Sequence, residues 1–171
     1  MNKGLRASFT LAVFGMGMMQ GPTTDPRPRL TAVAATSRAA LSEWDQRIGA
    51  LTGRGELRVR STIEDTMLAG RTHTRFEQLH RGVPVWGGEL VRQDDAAGTL
   101  TVFGSLYEGI DIETRPALSE AAARRTLEAS HPGARIFPDE VDLMILPLTE
   151  GDAVTFVLAW RAQILTGTDA R

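Results

Sequence analysis

The chain of 171 residues contains no cysteine. That excludes disulfides, thiolate zinc sites, thiol nucleophiles and a lipidated N-terminal cysteine together. Histidine is scarce as well: His73, His80 and His131 are the only three, and no two are spaced as His-x-x-x-His. That spacing is the commonest sequence trace of a hydrolytic zinc site on a helix. No Gly-rich phosphate loop, Gly-x-Ser-x-Gly elbow or dinucleotide fingerprint occurs. Charge of one sign is not in excess. A formal net charge of -2 gives no global field for nucleic acid or an anionic membrane surface. What is present, 42% hydrophobic and 23% charged residues, is the balance of a folded globular protein.

The N-terminus carries Lys3 and Arg6 ahead of an uncharged, mostly apolar run from Phe9 to Met19. The run is about half of the ~20 residues that span a bilayer as a helix, so no membrane span is expected. Its flanks and length fit a signal-peptide core, and the localisation expected is secreted or periplasmic. Ala32-Val33-Ala34 has small residues at cleavage spacing, beyond a Pro- and Arg-rich stretch from Gly21 to Arg29 that reads as a linker. Residues 1–32 are thus assigned to a signal peptide and disordered linker.

Beyond it, Leu41, Trp44, Ile48 and Leu51 recur at helical spacing, which predicts a helix over Ser37–Leu51, capped by Thr36 or Ser37 and stopped at Gly53 and Gly55. Leu57–Ile63 and Thr72–Leu79 alternate as strands, and Arg81-Gly82 supplies a tight reversal. Val83–Val91 is strand-like but carries Pro84 and the pair Gly87-Gly88, which predicts a bent or edge strand. A loop at Asp94–Gly98 returns into a strand over Thr99–Leu106.

The order then repeats. Glu120–Ser130 is rich in helix formers, with Ser119 to cap it and Pro132-Gly133 to end it. Val141–Leu148 and Val154–Leu165 read as strands around a turn at Thr149–Asp152. In the last strand Val154, Phe156, Leu158, Trp160, Ala162 and Ile164 share one face, with Thr155, Arg161 and Gln163 on the other. Helix-then-strands, repeated, predicts an α+β protein of two small units, each a helix packed on an antiparallel sheet. The units are placed at residues 33–112 and 113–171.

No catalytic, metal-binding or cofactor-binding residue is expected. His73 and His80 read as surface or sheet-rim polar residues, and His131 as a helix-end cation. Asp94 and Asp95 read as loop-forming aspartates. Asp139, Glu140 and Asp142 read as solvated surface rather than a weak cation site. Trp44 and Trp160 continue apolar faces. Trp86 does not; flanked by glycines on the bent strand, it is the residue suited to touch a partner.

The segment His73–Gly109 resembles the fungalysin/thermolysin propeptide motif, in which an H-x-R-[FY]-x-Q strand runs into a G-[IV]-P-V-[FWY]-G-G strand. His73, Arg75, Phe76, Gln78, Gly82, Val83, Pro84, Val85, Trp86, Gly87 and Gly88 match it in order and spacing. The second unit is similar to a PepSY-like domain through Pro116–Ala122 and Leu158-Ala159-Trp160-Arg161. The resemblance implies two cystatin-like units that assist folding of a thermolysin-like metallopeptidase catalytic domain and inhibit it, none of their residues being catalytic. It also implies a further strand beyond Leu165, a processing site and an HExxH enzyme. The chain ends at Arg171 with none of these, so the second unit is expected to be incomplete, with one edge of its last strand bare. Three roles follow as expectations: a propeptide acting as inhibitor and chaperone, the N-terminal part of an active precursor, or a free-standing secreted regulator.

Overall fold

The structure is a computed structural model and describes residues 6–12, 27–133, 135–151 and 153–165. Among the described residues two helices and eight strands follow in the order β1 (Arg6–Ala12), β2 (Arg29–Ala35), α1 (Arg38–Gly53), β3 (Leu57–Glu64), β4 (Thr72–His80), β5 (Val83–Asp95), β6 (Gly98–Glu108), α2 (Glu120–Ser130), β7 (Arg135–Glu150) and β8 (Ala153–Leu165). Both helices start where capping chemistry sets them. The Ser37 hydroxyl accepts from the Ala40 amide, and the Ser119 hydroxyl from the Ala122 amide. Each satisfies one of the donors that a helix start leaves without a partner.

The strands overturn the expectation of two separate cystatin-like units, each a helix on its own antiparallel sheet. Eight strands form one mixed sheet, in the order β1-β8-β7-β5-β4-β3, with β6 also paired to β5 and β2 to β6. The junction is β5. Its Glu89–Asp95 part pairs antiparallel with β6, while Val85 near its start pairs in parallel with Ile145 of β7. A strand that serves two neighbours along one edge fuses what periodicity reads as two sheets. Local alternation reports which face is buried, not which distant strand lies alongside.

The N-terminal stretch contributes strands too. β2 runs antiparallel to β6, and Val33 and Ala35 are buried in the core, so the small-residue run Ala32-Val33-Ala34 lies inside a strand. β1 runs antiparallel to β8, from Arg6 opposite Leu165 to Ala12 opposite Ala159. β8 therefore has a strand on each side, and the expected bare edge is covered. The apolar run falls within β1 only over Phe9–Ala12; residues 13–19 lie outside the described ones.

Two cores result. Under α1, Ile48 packs with Val33, Leu57, Phe76, Leu90, Val102 and Leu106, flanked by Leu41, Trp44 and Leu51. Under α2, Leu127 packs with Val141, Ala162 and Ile164, flanked by Ile136 and Trp160. The Trp160 indole N–H donates to the Leu118 carbonyl at 3.0 Å, tying the segment before α2 to β8.

Candidate functional site

The site grows from the bend in β5. Arg81 (φ 49°) and Gly82 (φ 83°) turn the chain from β4 into β5, as the reversal in the sequence requires. Pro84 then lies opposite Leu79, and the register between β4 and β5 slips between Glu77 and Leu79. The slip leaves Gln78 without a strand partner in β5 and sets it beside Gly88. A Cβ on Gly88 would lie 2.5 Å from Gln78 Oε1 and 2.8 Å from Gln78 Cβ, so only glycine lets the side chain pass. Beyond Gly88 the Gln78 amide donates to the Tyr107 carbonyl at 2.6 Å and accepts from the Tyr107 amide at 2.8 Å. A side chain thus supplies the two hydrogen bonds that β5 would have given β6 had it run straight. Gly87, at φ 75°, faces the Tyr107 ring and completes the bend.

The other motif residues hold this frame. Phe76 is 4% exposed in the core below α1, with the Arg92 guanidinium 5.7 Å from its ring centre. Arg75 approaches Glu89 across the strands at 3.7 Å. His73 bridges two elements: Nε2 lies 3.2 Å from Asp65 Oδ2, and Nδ1 lies 3.2 Å from the Gln93 amide nitrogen, whose own Oε1 accepts from Thr101. Asp65 in turn caps the β3–β4 loop by accepting from the Met67 and Leu68 amides. The Met67 amide first, then His73 and the Leu68 amide, hold its carboxyl below the usual range. His80 ends β4 partly buried, with no hydrogen-bond partner for Nε2 among the described residues; desolvation first, then Arg81, pushes its pKa down.

Trp86 stands apart from this frame-building. It is 48% exposed on the outside of the bend, and the Arg161 guanidinium lies 5.5 Å from its ring centre. Arg161 is itself held by Asp142 at 2.6 Å. Together they form one wall of an open cleft of about 690 Å³ between the two halves of the sheet. The floor is the cross-strand row Arg58, Glu77 and Glu89, on the face opposite α1. Sequence reasoning singled out Trp86 as a contact residue but did not join it to Arg58, Arg60, Asp142 or Arg161. These come from three other strands, and nothing in their local spacing marks them as neighbours.

Asp94 and Asp95 behave as turn residues: Asp95 accepts from the Ala97 amide, and Asp94 pairs with Arg92. His131 caps the end of α2, its ring nitrogen 3.3 Å from the Leu127 carbonyl. The side chains of Asp139 and Glu140 lie outside the described residues. Among the described residues no group of three or more His, Cys, Asp or Glu is arranged to hold a metal ion. No helix among them is long and apolar enough to cross a membrane.

No curated protein and no solved structure matches the chain. A family model does match, over residues 55–105, from the turn before β3 into β6. The PepSY-like resemblance of the second half lies beyond that match. The stretch that bends β5, threads Gln78 past Gly88 and presents Trp86 therefore carries the Fungalysin/Thermolysin Propeptide Motif.

Proposed function

We propose that the chain is the propeptide region of an exported thermolysin-like metallopeptidase, and that it assists folding of the catalytic domain and restrains it. A motif of this kind is not itself catalytic; it fits the precursor of a protease rather than an enzyme in its own right. The observation that carries the reading is the division of labour within the motif. His73, Arg75, Phe76, Gln78, Gly82, Pro84, Gly87 and Gly88 build the frame, and Trp86 is left half exposed at a cleft.

An indole held by Arg161 and set on a rigid bend is a preorganised contact, which limits the ordering cost of binding. A partner that contacts the native catalytic domain in this way stabilises it by mass action and occludes its surface.

The test adds the purified chain in trans to a thermolysin-like catalytic domain from the same organism. Inhibition is expected, and Trp86→Ala should weaken it by about 2 kcal/mol, roughly thirtyfold. A folded Trp86→Ala variant that inhibits as well as the parent removes Trp86 from the contact. Absence of inhibition by the parent defeats the restraining role.

A further inference from the structure

We propose that the cleft beside Trp86 receives an extended, acidic segment of the partner, with a carboxylate on Arg60 and an apolar side chain on the Trp86 ring. The inference rests on the propeptide reading for the identity of its partner, and goes beyond it in naming the chemistry of the contact.

The charges in the cleft single out Arg60. Arg58 pairs with Glu77 at 2.8 Å, Arg161 with Asp142 at 2.6 Å, and Glu89 has Arg75 at 3.7 Å. Arg60 lines the same cleft, is exposed, and makes no ion pair among the described residues. The backbone explains its place. Arg60 is the residue skipped by the register of β3 and β4, which shifts between Val59 and Ser61, so the bulge lifts it out of the ladder that engages Arg58. A guanidinium with its donors unused, in a wall otherwise neutralised pair by pair, selects for a carboxylate and against a cation.

Spacing constrains the occupant further. β3 and β5 are separated by β4, and Trp86 lies level with Gln78 and not with the Phe76–Arg75 register of Arg60, so the two stand two strand intervals apart across the sheet and are also offset along it, at least about 10 Å. An extended chain covers about 3.3 Å per residue, so the acidic residue and the apolar one should lie at least about three positions apart. The floor between them is the paired row of Arg58, Glu77 and Glu89, which offers no second unmatched charge.

Two measurements on the full chain test this. The first is inhibition of the thermolysin-like catalytic domain by the parent, Arg60→Glu and Arg60→Lys, at low and high salt. Arg60→Glu should weaken inhibition about tenfold or more, and Arg60→Lys by no more than about threefold. The difference between Arg60→Glu and the parent should shrink as salt screens it. The second titrates the chain with the peptide acetyl-Gly-Glu-Ser-Gly-Phe-Ser-amide and with its Glu-to-Lys counterpart, following the Trp86 indole N–H by NMR, assigned through the Trp86→Phe variant. The acidic peptide should shift that resonance in the parent and not in Arg60→Glu; the Lys peptide should leave it in place. Inhibition that survives Arg60→Glu, together with equal shifts from both peptides, overturns the proposal and leaves the propeptide reading standing. A parent that fails to inhibit but binds the acidic peptide through Arg60 defeats the propeptide reading and keeps the acidic-segment site. Neither peptide moving the indole, with Arg60→Glu inhibiting like the parent, removes the site altogether.

Discussion

The two halves of the sheet are held by different means. In the first, from β2 to β6, side chains act as substitutes for backbone: Gln78 stands in for a strand at Tyr107, and Asp65 closes a loop through two amides. Glu108 joins in, gripped by Arg47 first and then Arg29, so that its carboxyl is held below its usual range. In the second, α2, β7 and β8 rely on one long hairpin and an apolar cluster of Leu127, Val141, Ala162 and Ile164. The family model matches within the first half, where the backbone departs furthest from a regular ladder. Irregular backbone accepts few residues at each position, whereas the continuous ladder from Val141 to Glu150 accepts any that keep the alternation.

The largest effect confined to the first half is expected at Gly104, which pairs with Leu90 at φ 138° with the Glu89 carbonyl where a Cβ would go. Both the backbone region and the collision forbid a side chain. Gly104→Ala should cost about 3 kcal/mol or more by urea unfolding. Hydrogen exchange should show the loss concentrated in β4–β6, with the Phe156–Ile164 amides still protected. Equal loss in both halves would mean that the contacts across the β5–β7 junction couple them fully.

A smaller effect is expected where Gln78 passes Gly88. Gln78→Leu strips the Tyr107 amide and carbonyl of their partners and should cost about 2 kcal/mol. Gly88→Ala should cost a similar amount by driving Gln78 away. The double variant should be less damaging than the two separate costs combined, since both remove the same contact. Additive costs would show that the glycine serves the bend without the glutamine.

The helices, the hairpin turns and the bend at Gly87-Gly88 were legible in the sequence because each depends on residues within a few positions. Ser37 and Ser119 cap the helices they were expected to cap, and Arg81-Gly82 turns where expected. The joining of the halves was not legible. It rests on Val85 meeting Ile145, and the strand added to each half, β2 to the first and β1 to the second, comes from a stretch whose apolar and Pro-rich composition reads as leader and linker. The cleft was half legible: glycine flanks marked Trp86 as exposed, but the arginines around it arrive by long-range pairing.

The smallest effect separates the halves by pH. The His80 pKa is pushed down in the folded chain, so the unfolded chain binds more protons as pH falls below about 6.5. The stability tied to neutral His80 is present above that pH and lost as pH falls toward the folded value. Urea midpoints at pH 7.5 and 5.5 should therefore drop more for the parent than for His80→Gln, with the added exchange seen in the first half. A drop of the same size in both proteins assigns the acid sensitivity to the carboxylates instead.

The passage of Gln78 across Gly88 also sets a sequence of events. Its amide joins Tyr107 only when β4, β5 and β6 already lie side by side, so neither of its two bonds assists the first steps of sheet formation. Interactions absent from the folding transition state slow unfolding without hastening folding. The clip thus works on lifetime more than on assembly: once closed, it delays the opening of the bent strand. A Gln78→Leu chain should fold at nearly the parental rate and fall apart faster.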